Sequence, residues 1–407
     1  MMTYYTIQNM WHIYGKQYDL TTFANRHPGG AEIIEKTKGL EDCTPLFESY
    51  HAFSDMAAIK QSLDKYEIKA DDDTVVVDPY ANDFTTYHKL VAKIKEIFPD
   101  RESIKAQPYW YVYVIFMFYL YLSFVYRLTF CQYNTFVKCI LVMFASTIEI
   151  SLLFNVLHDA SHYAVTENPV INNIVSAATQ AWTVWNHSLW TIHHIILHHS
   201  FTGGAKDPDK TLYDYANIMN ISIFNPHIQQ YINHFIFTIA PAQHTLQSFL
   251  YARRAYIEYP NNIYYTTYDA SIILFKFMFL YSIGFLPALI YLTNINLLYY
   301  VNVFPNHDLV ETHENNYNGP DWAKRQICNS GNFLNDEKWW GMIFGGINYQ
   351  IEHHLFPNMS NQNYPVIAPI VKKFCKENEI PYVHEETLEG AYHSFSKRVL
   401  PKKEKEA

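Results

Sequence analysis

Long apolar stretches alternate along the chain with segments that mix apolar and polar positions at helical spacing. Tyr109 to Phe130 carries one charge, Arg127, near its end. About 20 apolar residues suffice to cross a bilayer. "TFVKCILVMFASTIEISLLFNVLH" is a second such stretch, with Lys138 near its start and Glu149 inside. Phe277 to Asn306 holds no charged residue, and with the preceding "DASIILFK" it is long enough for a hairpin of two spans, broken near "GFLPA". The pattern predicts four spans in two hairpins, with both termini and the middle segment on one side. Lys89, Lys93, Lys95, Arg101 and Lys105 before the first span, and Lys372, Lys373 and the "PKKEKEA" tail after the last, mark that side as cytosolic. Arg127 and Lys138 run against this orientation.

The remaining segments read differently. Residues 1–70 predict a small mixed α/β domain: "QYDL" reads as a short strand, and "AEIIEKT" and "MAAIKQSLDKYEI" have helical spacing. Residues 71–107 follow as a connecting segment. Its acidic, proline-containing start, in "KADDDTVVVDPYAND", reads as a linker. Its "FTTYHKLVAKIKEIF" puts lysines opposite an apolar stripe, as in a helix lying on a membrane surface. Residues 108–407 form the membrane part.

Composition sharpens this picture. Only 17% of the 407 residues are charged, below the roughly 25% of soluble domains. The net charge of −9 offers no basic surface, so no nucleic-acid partner is expected. Cys43, Cys131, Cys139, Cys328 and Cys375 form no C-x-x-C pair and read as reduced thiols. The first residues lack a basic start followed by an apolar run, so membrane entry is expected from internal segments.

The histidines carry the chemistry. "HDASH" places His158 and His162 four apart, one turn apart on a helix face. "WTIHHIILHH" places His194, His198 and His199 at i, i+4 and i+5. "QIEHH" places Gln350, His353 and His354 at i, i+3 and i+4, so one turn presents two imidazoles and an amide in one direction. One such pair is commonly a surface accident. Three groups, each flanking an apolar run, imply a shared metal site, because buried imidazoles need partners. Seven clustered histidines exceed the set of one zinc site and suit two metals. Iron fits redox work, although imidazole alone does not separate it from zinc. At the other end, His27 in "RHPGG" and His51 in "FESYH" flank helical segments of a small domain, a pairing that suits two axial ligands to one haem iron.

With these motifs the chain resembles a cytochrome b5-fused front-end fatty acid desaturase over nearly its full length. The resemblance rests on "YDLTTFANRHPGG", "GLEDCTPLFESYH" and "LDKYEI", and on "HDASH", "HHIILHHSFTGGAKDPD" and "GGINYQIEHHLFPNMS". It implies a small α+β cytochrome b5-like haem domain fused to an all-α four-span membrane desaturase domain. It assigns ligand roles to His158, His162, His194, His198, His199, His353 and His354, with Gln350 as a catalytic residue at the third box. Asn306 and His307 match the family's asparagine–histidine pair after the last span, which makes His307 an extra metal ligand. Gly203 stands where asparagine is common in the family. His193 reads as a hydrogen-bonding support, Glu149 as an interior partner or functional group, and Trp182, Trp185 and Trp190 as interfacial anchors.

The resemblance further implies haem b, two non-haem irons and dioxygen as co-substrate. The substrate is a fatty acyl lipid or acyl-CoA, and NADH-cytochrome b5 reductase is the electron donor. The expected setting is multi-pass in the endoplasmic reticulum membrane, among membrane lipids, with the haem domain and boxes cytosolic. The expected product is a cis double bond between an existing one and the carboxyl end. A membrane hydroxylase would share the oxidant and yield a hydroxyl. A sphingolipid long-chain-base desaturase would share the boxes. A non-enzymatic haem electron carrier would lack non-haem iron.

Overall fold

The computed structural model describes residues 10–68, 82–180, 187–204, 206–209, 267–336 and 338–399. Most of the predicted linker, and Trp182 and Trp185, lie outside these.

The amino-terminal domain begins with an antiparallel ribbon, β1 (Trp11–Ile13) and β2 (Lys16–Tyr18), in which Trp11 faces Tyr18. Its turn places Tyr14 and Gly15 at positive φ, 53° and 70°. Trp11 and Tyr18 are buried, and the Trp11 indole N–H donates to the Ile34 carbonyl at 2.7 Å. That bond ties the ribbon to the helix Ala31–Lys36. The helix Thr44–His51 follows. The helix Met56–Leu63 starts where the Asp55 carboxylate accepts from the Ala57 and Ala58 amides. Strand and helices thus form in the predicted segments. "LDKYEI" tightens into a 3-10 turn, Asp64–Tyr66, instead of extending the helix.

The apolar stretches form long helices. Pro108–Phe130 comes first. Thr135–Leu152 starts at Asn134, whose side chain accepts from the Val137 amide at 2.9 Å. It continues through a π-helical turn, Leu153–His158, into Asp159–Ser161. Thr267–Ile283 and Phe285–His307 are separated by Gly284 at φ 89°, the break expected near "GFLPA". Phe285–His307 packs along Thr135–Leu152, and Thr267–Ile283 packs on both Phe285–His307 and Pro108–Phe130. Large apolar side chains face outward on this group, with Val112 69%, Tyr281 91% and Phe285 84% exposed. Soluble monomers rarely leave such a contiguous apolar surface uncovered.

Among the described residues, two helices, Pro108–Phe130 and Thr135–Ser161, are long and apolar enough to cross a membrane. Four spans were expected. Thr267–Ile283 has 17 residues and carries Asp269 and Lys276, and Phe285–His307 is interrupted by Asn294, Asn296, Asn302 and Asn306. Glu149 forms an ion pair with Lys276 and accepts from the Tyr121 hydroxyl at 3.1 Å. It is therefore held as an interior partner across helices.

One expectation is corrected. The amphipathic helix Thr85–Lys95 does not offer its apolar stripe to a membrane surface. Tyr87, Leu90 and Ile94 are fully buried in a cluster with Trp322, Leu355 and Phe356, so protein covers the stripe. The Tyr87 hydroxyl donates to the Leu355 carbonyl at 3.0 Å. This helix braces the turn that carries His353 and His354. On its other flank, β3 (Gly331–Phe333) pairs in parallel with β4 (Val383–Glu385). That pairing places Asn332, whose side-chain amide donates to the Glu352 carboxylate at 2.8 Å.

Candidate metal and haem sites

In the amino-terminal domain, His27 follows the short turn Ala24–Arg26 and His51 ends the helix Thr44–His51. Each ring donates its Nδ1–H to a carbonyl, Gly30 at 3.0 Å and Phe47 at 2.7 Å. Both Nε2 lone pairs are then available. The ring centroids are 6.1 Å apart. A metal between the rings with each nitrogen about 2 Å away needs a separation of about 6 Å. Burial lowers His27 and pushes His51 down to about 4, which keeps the imidazoles neutral, as ligation requires. A Cβ on Gly29 would stand 2.7 Å from His27 Cε1, so the "HPGG" turn needs glycine to seat the ring. These residues fit a bis-histidine haem.

The boxes converge from four elements. π-helical turns lie in two of them, Leu153–His158 and Thr191–His198, and such turns recur where side chains must be re-aimed at functional sites. His158, His162, His194 and His353 form one cluster, with candidate ligand nitrogens all within 4.8 Å of one another. His198, His307 and His354 form a second. His199 stands between them: its Nε2 is 3.0 Å from His353 Nε2, and its ring stacks on His354 with centroids 4.3 Å apart. His158 Nε2 and His194 Nε2 are 3.1 Å apart. Two imidazole nitrogens on one metal, each about 2 Å from it, stand about 3 Å apart. His162 Nε2 and His354 Nε2 are buried without a partner, as is Gln350 Oε1. Orphaned nitrogens at this density fit two metal ions and no packed apolar core.

A surrounding layer orients the rings. His354 Nδ1 faces Gln326 Oε1 at 2.9 Å, and His307 Nδ1 faces the Asn329 carbonyl at 2.7 Å. His353 Nδ1 faces the Tyr364 hydroxyl at 3.2 Å, and His162 Nδ1 faces the Tyr50 hydroxyl at 2.7 Å. His198 Nδ1 faces Asp207 Oδ1 at 2.8 Å. Burial opposes charge on His198, and the Asp207 and Asp209 carboxylates outweigh it, raising the ring to about 9 and increasing its basicity as a donor. Burial drives His162, His194, His199, His353 and His354 well below the usual histidine range. They are therefore neutral donors. Gln350 Nε2 lies 3.1 Å from His307 Nε2, so the amide meets the second cluster through the extra histidine.

His193 pairs with Asp209 Oδ1 at 2.7 Å, and the other oxygen of that carboxylate lies 3.4 Å from His198 Nδ1. Gly203 has φ 70°, and a Cβ there would stand 2.5 Å from the Asn329 side-chain nitrogen. Asn329 occupies the space a larger residue would need. Trp190 corrects the interfacial-anchor reading. It is buried, donates from its indole to Ser161 at 2.9 Å and stacks on His194 at 4.4 Å. Sequence reasoning missed Tyr50, Asp207, Asp209, Gln326 and Tyr364 as supports. The two aspartates had a visible signal, the "DPD" that closes the second box; the others had none.

Comparison with known proteins follows the same division. Residues 134–386 match the model of the family described as fatty acid desaturase. Residues 6–72 match that of the cytochrome b5-like heme/steroid binding domain. The chain is 27% identical to an acyl-lipid (8-3)-desaturase of Mortierella alpina, over 97% of this chain and 94% of the other. It is 26% identical to a probable Delta(5) fatty acid desaturase C of Dictyostelium discoideum, over 96% and 91%. It is 23% identical to Delta(8)-fatty-acid desaturase 2 of Arabidopsis thaliana, over 91% and 84%. No solved structure matches the chain.

Proposed function

The chain belongs to the fatty acid desaturase family and carries a cytochrome b5-like domain at its amino-terminal end, and from that premise we propose which residues perform its reaction. It is an oxygen-dependent front-end acyl desaturase, an oxidoreductase with haem and non-haem iron as cofactors. Its bond is formed on the carboxyl side of an existing double bond. The names of two relatives, (8-3) and Delta(5), support a delta-5-like position in this chain.

The observation that carries the assignment is the convergence of two buried histidine clusters around His199. His158, His162, His194 and His353 would hold one iron, and His198, His307 and His354 the other, with His199 between. When bound, the irons supply the activation of dioxygen that removes two hydrogens from adjacent carbons, with two electrons and two protons taken up as water forms. The chain's own residues do the rest. His162, His194, His199, His353 and His354 are neutral and donate without having to lose a proton, whereas His198, raised by Asp207 and Asp209, must release one to ligate. Asp207, Gln326, Asn329, Tyr364 and Tyr50 fix the ring orientations through the far nitrogens. Gln350 is the catalytic residue of the third box: its amide nitrogen reaches His307, and its oxygen is left to orient a polar group at the site. The surrounding burial excludes bulk water. His27 and His51 hold the haem.

The four-span, multi-pass arrangement in the endoplasmic reticulum membrane belongs to this proposal. The outward apolar face of Thr267–Ile283, with Leu274, Phe277, Met278 and Tyr281 exposed, supports a third span, and Gly284 then marks the far-side turn to a fourth. An NADH-dependent cytochrome b5 reductase supplies the electrons. Expression in a host lacking the activity, fed polyunsaturated acids of several lengths, tests the reading. Double-bond location by mass spectrometry should give a new cis bond on the carboxyl side of an existing one. A hydroxylated product, or a new bond only on the methyl side, would contradict it.

A further inference from the structure

The two redox domains meet at a particular side chain. Tyr50 immediately precedes His51 on the helix Thr44–His51. Its hydroxyl oxygen lies 2.7 Å from His162 Nδ1. The rings are nearly parallel, 18° apart in plane. His162 Nε2 is buried and unpartnered, on the side where the first cluster gathers. A histidine that ligates through Nε2 donates from Nδ1, so the phenol oxygen is the acceptor. The Tyr50 carbonyl is also engaged, accepting from the Asn358 side-chain amide at 2.9 Å. Asn358 follows directly on the "LFP" after the third box. Both polar ends of this residue are thus anchored in the desaturase part.

Other contacts dock the domains without touching a cluster histidine. Lys36 Nζ donates to Ser188 Oγ at 2.5 Å, Asn173 Nδ2 donates to Glu32 at 2.8 Å, and Phe53 packs on Phe356 with centroids 5.8 Å apart.

We propose that Tyr50 is the coupling residue between the haem domain and the first histidine cluster, positioning His162 and completing a route from His51 through the peptide bond to Tyr50, along the Tyr50 side chain and across one hydrogen bond to His162. It rests on the desaturase assignment of that cluster. With both groups bound, each transfer along this route would oxidise haem iron from ferrous to ferric and reduce one non-haem iron from ferric to ferrous. Two transfers accompany each double bond, and a pyridine-nucleotide-dependent reductase restores the ferrous haem. The hydrogen bond makes the docked geometry and the ligand orientation one event, because the haem domain cannot withdraw without freeing the far nitrogen of His162.

The test uses the full-length protein with both cofactors bound, reduced anaerobically with dithionite and mixed with oxygenated buffer and acyl substrate. Reoxidation of ferrous haem is followed by stopped-flow absorbance, with the substrate-free rate subtracted. Iron per haem is measured on the same samples. Tyr50→Phe removes the acceptor and keeps the ring. The expected result is an unchanged haem spectrum and substrate-dependent reoxidation, per iron-loaded molecule, slowed about tenfold, the factor that loss of one buried hydrogen bond gives in a docked population. Ser188→Ala, which breaks a docking contact remote from the cluster, should reoxidise at the wild-type rate. A wild-type rate per iron-loaded molecule in Tyr50→Phe overturns the proposal, whether or not iron is lost. Equal slowing in Ser188→Ala also overturns it, in favour of docking alone. A wild-type haem whose reoxidation ignores substrate would instead refute the underlying desaturase assignment of the cluster.

Discussion

Gln326 offers a sharp test of the second cluster because it touches no substrate and lies far from the histidines in sequence. It is fully buried in the helix Trp322–Cys328. Its Oε1 faces His354 Nδ1 at 2.9 Å and accepts from the Thr202 hydroxyl at 2.9 Å, and its Nε2 donates to the His199 carbonyl at 3.3 Å. Gln326→Met keeps the length and volume of the side chain and removes all three bonds. At about 1 kcal/mol net for each of the two bonds that find no replacement, to His354 and to the His199 carbonyl, the loss is about 2 kcal/mol, more if the stranded groups find no water. Thr202 still reaches the His198 carbonyl at 2.8 Å, so its hydroxyl is not orphaned. The cost falls on His354, whose ring loses its main orienting acceptor, and on the His199 carbonyl. Removing such a support typically weakens metal affinity by about 10–100-fold, or roughly 1.4–2.8 kcal/mol, a range that brackets that loss. The assay is the ratio of non-haem iron to haem after dialysis against a chelator series, with the haem as internal standard. The chelator midpoint should fall by that factor, and desaturation should fall with iron occupancy. A midpoint and a product yield equal to wild type would show that His354 is not held through Gln326.

Three further outcomes follow from the geometry. His27→Ala or His51→Ala should abolish the low-spin haem spectrum while leaving non-haem iron in place, and a normal spectrum in both would refute the axial pair. His353→Ala should abolish desaturation and lower iron with haem intact, whereas Gln350→Ala should keep iron and lose most product; full product from either contradicts the roles given to that turn. Lys105 is pulled down to about 7 by burial, with its ammonium donating to the Tyr163 and Asn358 carbonyls at 2.8 and 3.0 Å. Between that value and the ordinary 10.5 the unfolded chain binds a proton that the folded chain does not, so stability rises with pH across this window. Thermal midpoints of wild type should therefore climb relative to Lys105→Met from pH 7 toward 10.5, and a constant difference would show that the ammonium is not desolvated.

What the sequence made legible was local. The spacing of His158 with His162 and of Gln350 with His353 and His354 is a one-turn relationship, and apolar run lengths give the long helices directly. The break at Gly284 was marked by that glycine and by Pro287 just after it. The π-helical turns that aim the boxes were not legible, because "LFNVLH" and "TIHHIILH" read equally well as ordinary helix. Gln326, Tyr50 and Tyr364 act on histidines through tertiary contacts, and nothing in their own neighbourhoods marks them. Trp190 and the helix Thr85–Lys95 were misplaced for a related reason. An amphipathic stripe or a lone tryptophan looks alike in sequence whether lipid or protein covers it.

The ion pair between Glu149 and Lys276 bears on how the protein is made. Glu149 lies in the second apolar helix, and Lys276 in a helix translated much later, after the whole middle segment. In the four-span arrangement the carboxyl enters the bilayer without its cation, and a lone charge at that depth is costly. Were all four helices to span, the first hairpin would hold an unpaired carboxyl until the second hairpin joined it. Lys276 would likewise gain its partner only once that carboxyl lies beside it. In that arrangement the pairing of the two hairpins would be marked by two charges that lie far apart in the sequence and meet only in the folded chain.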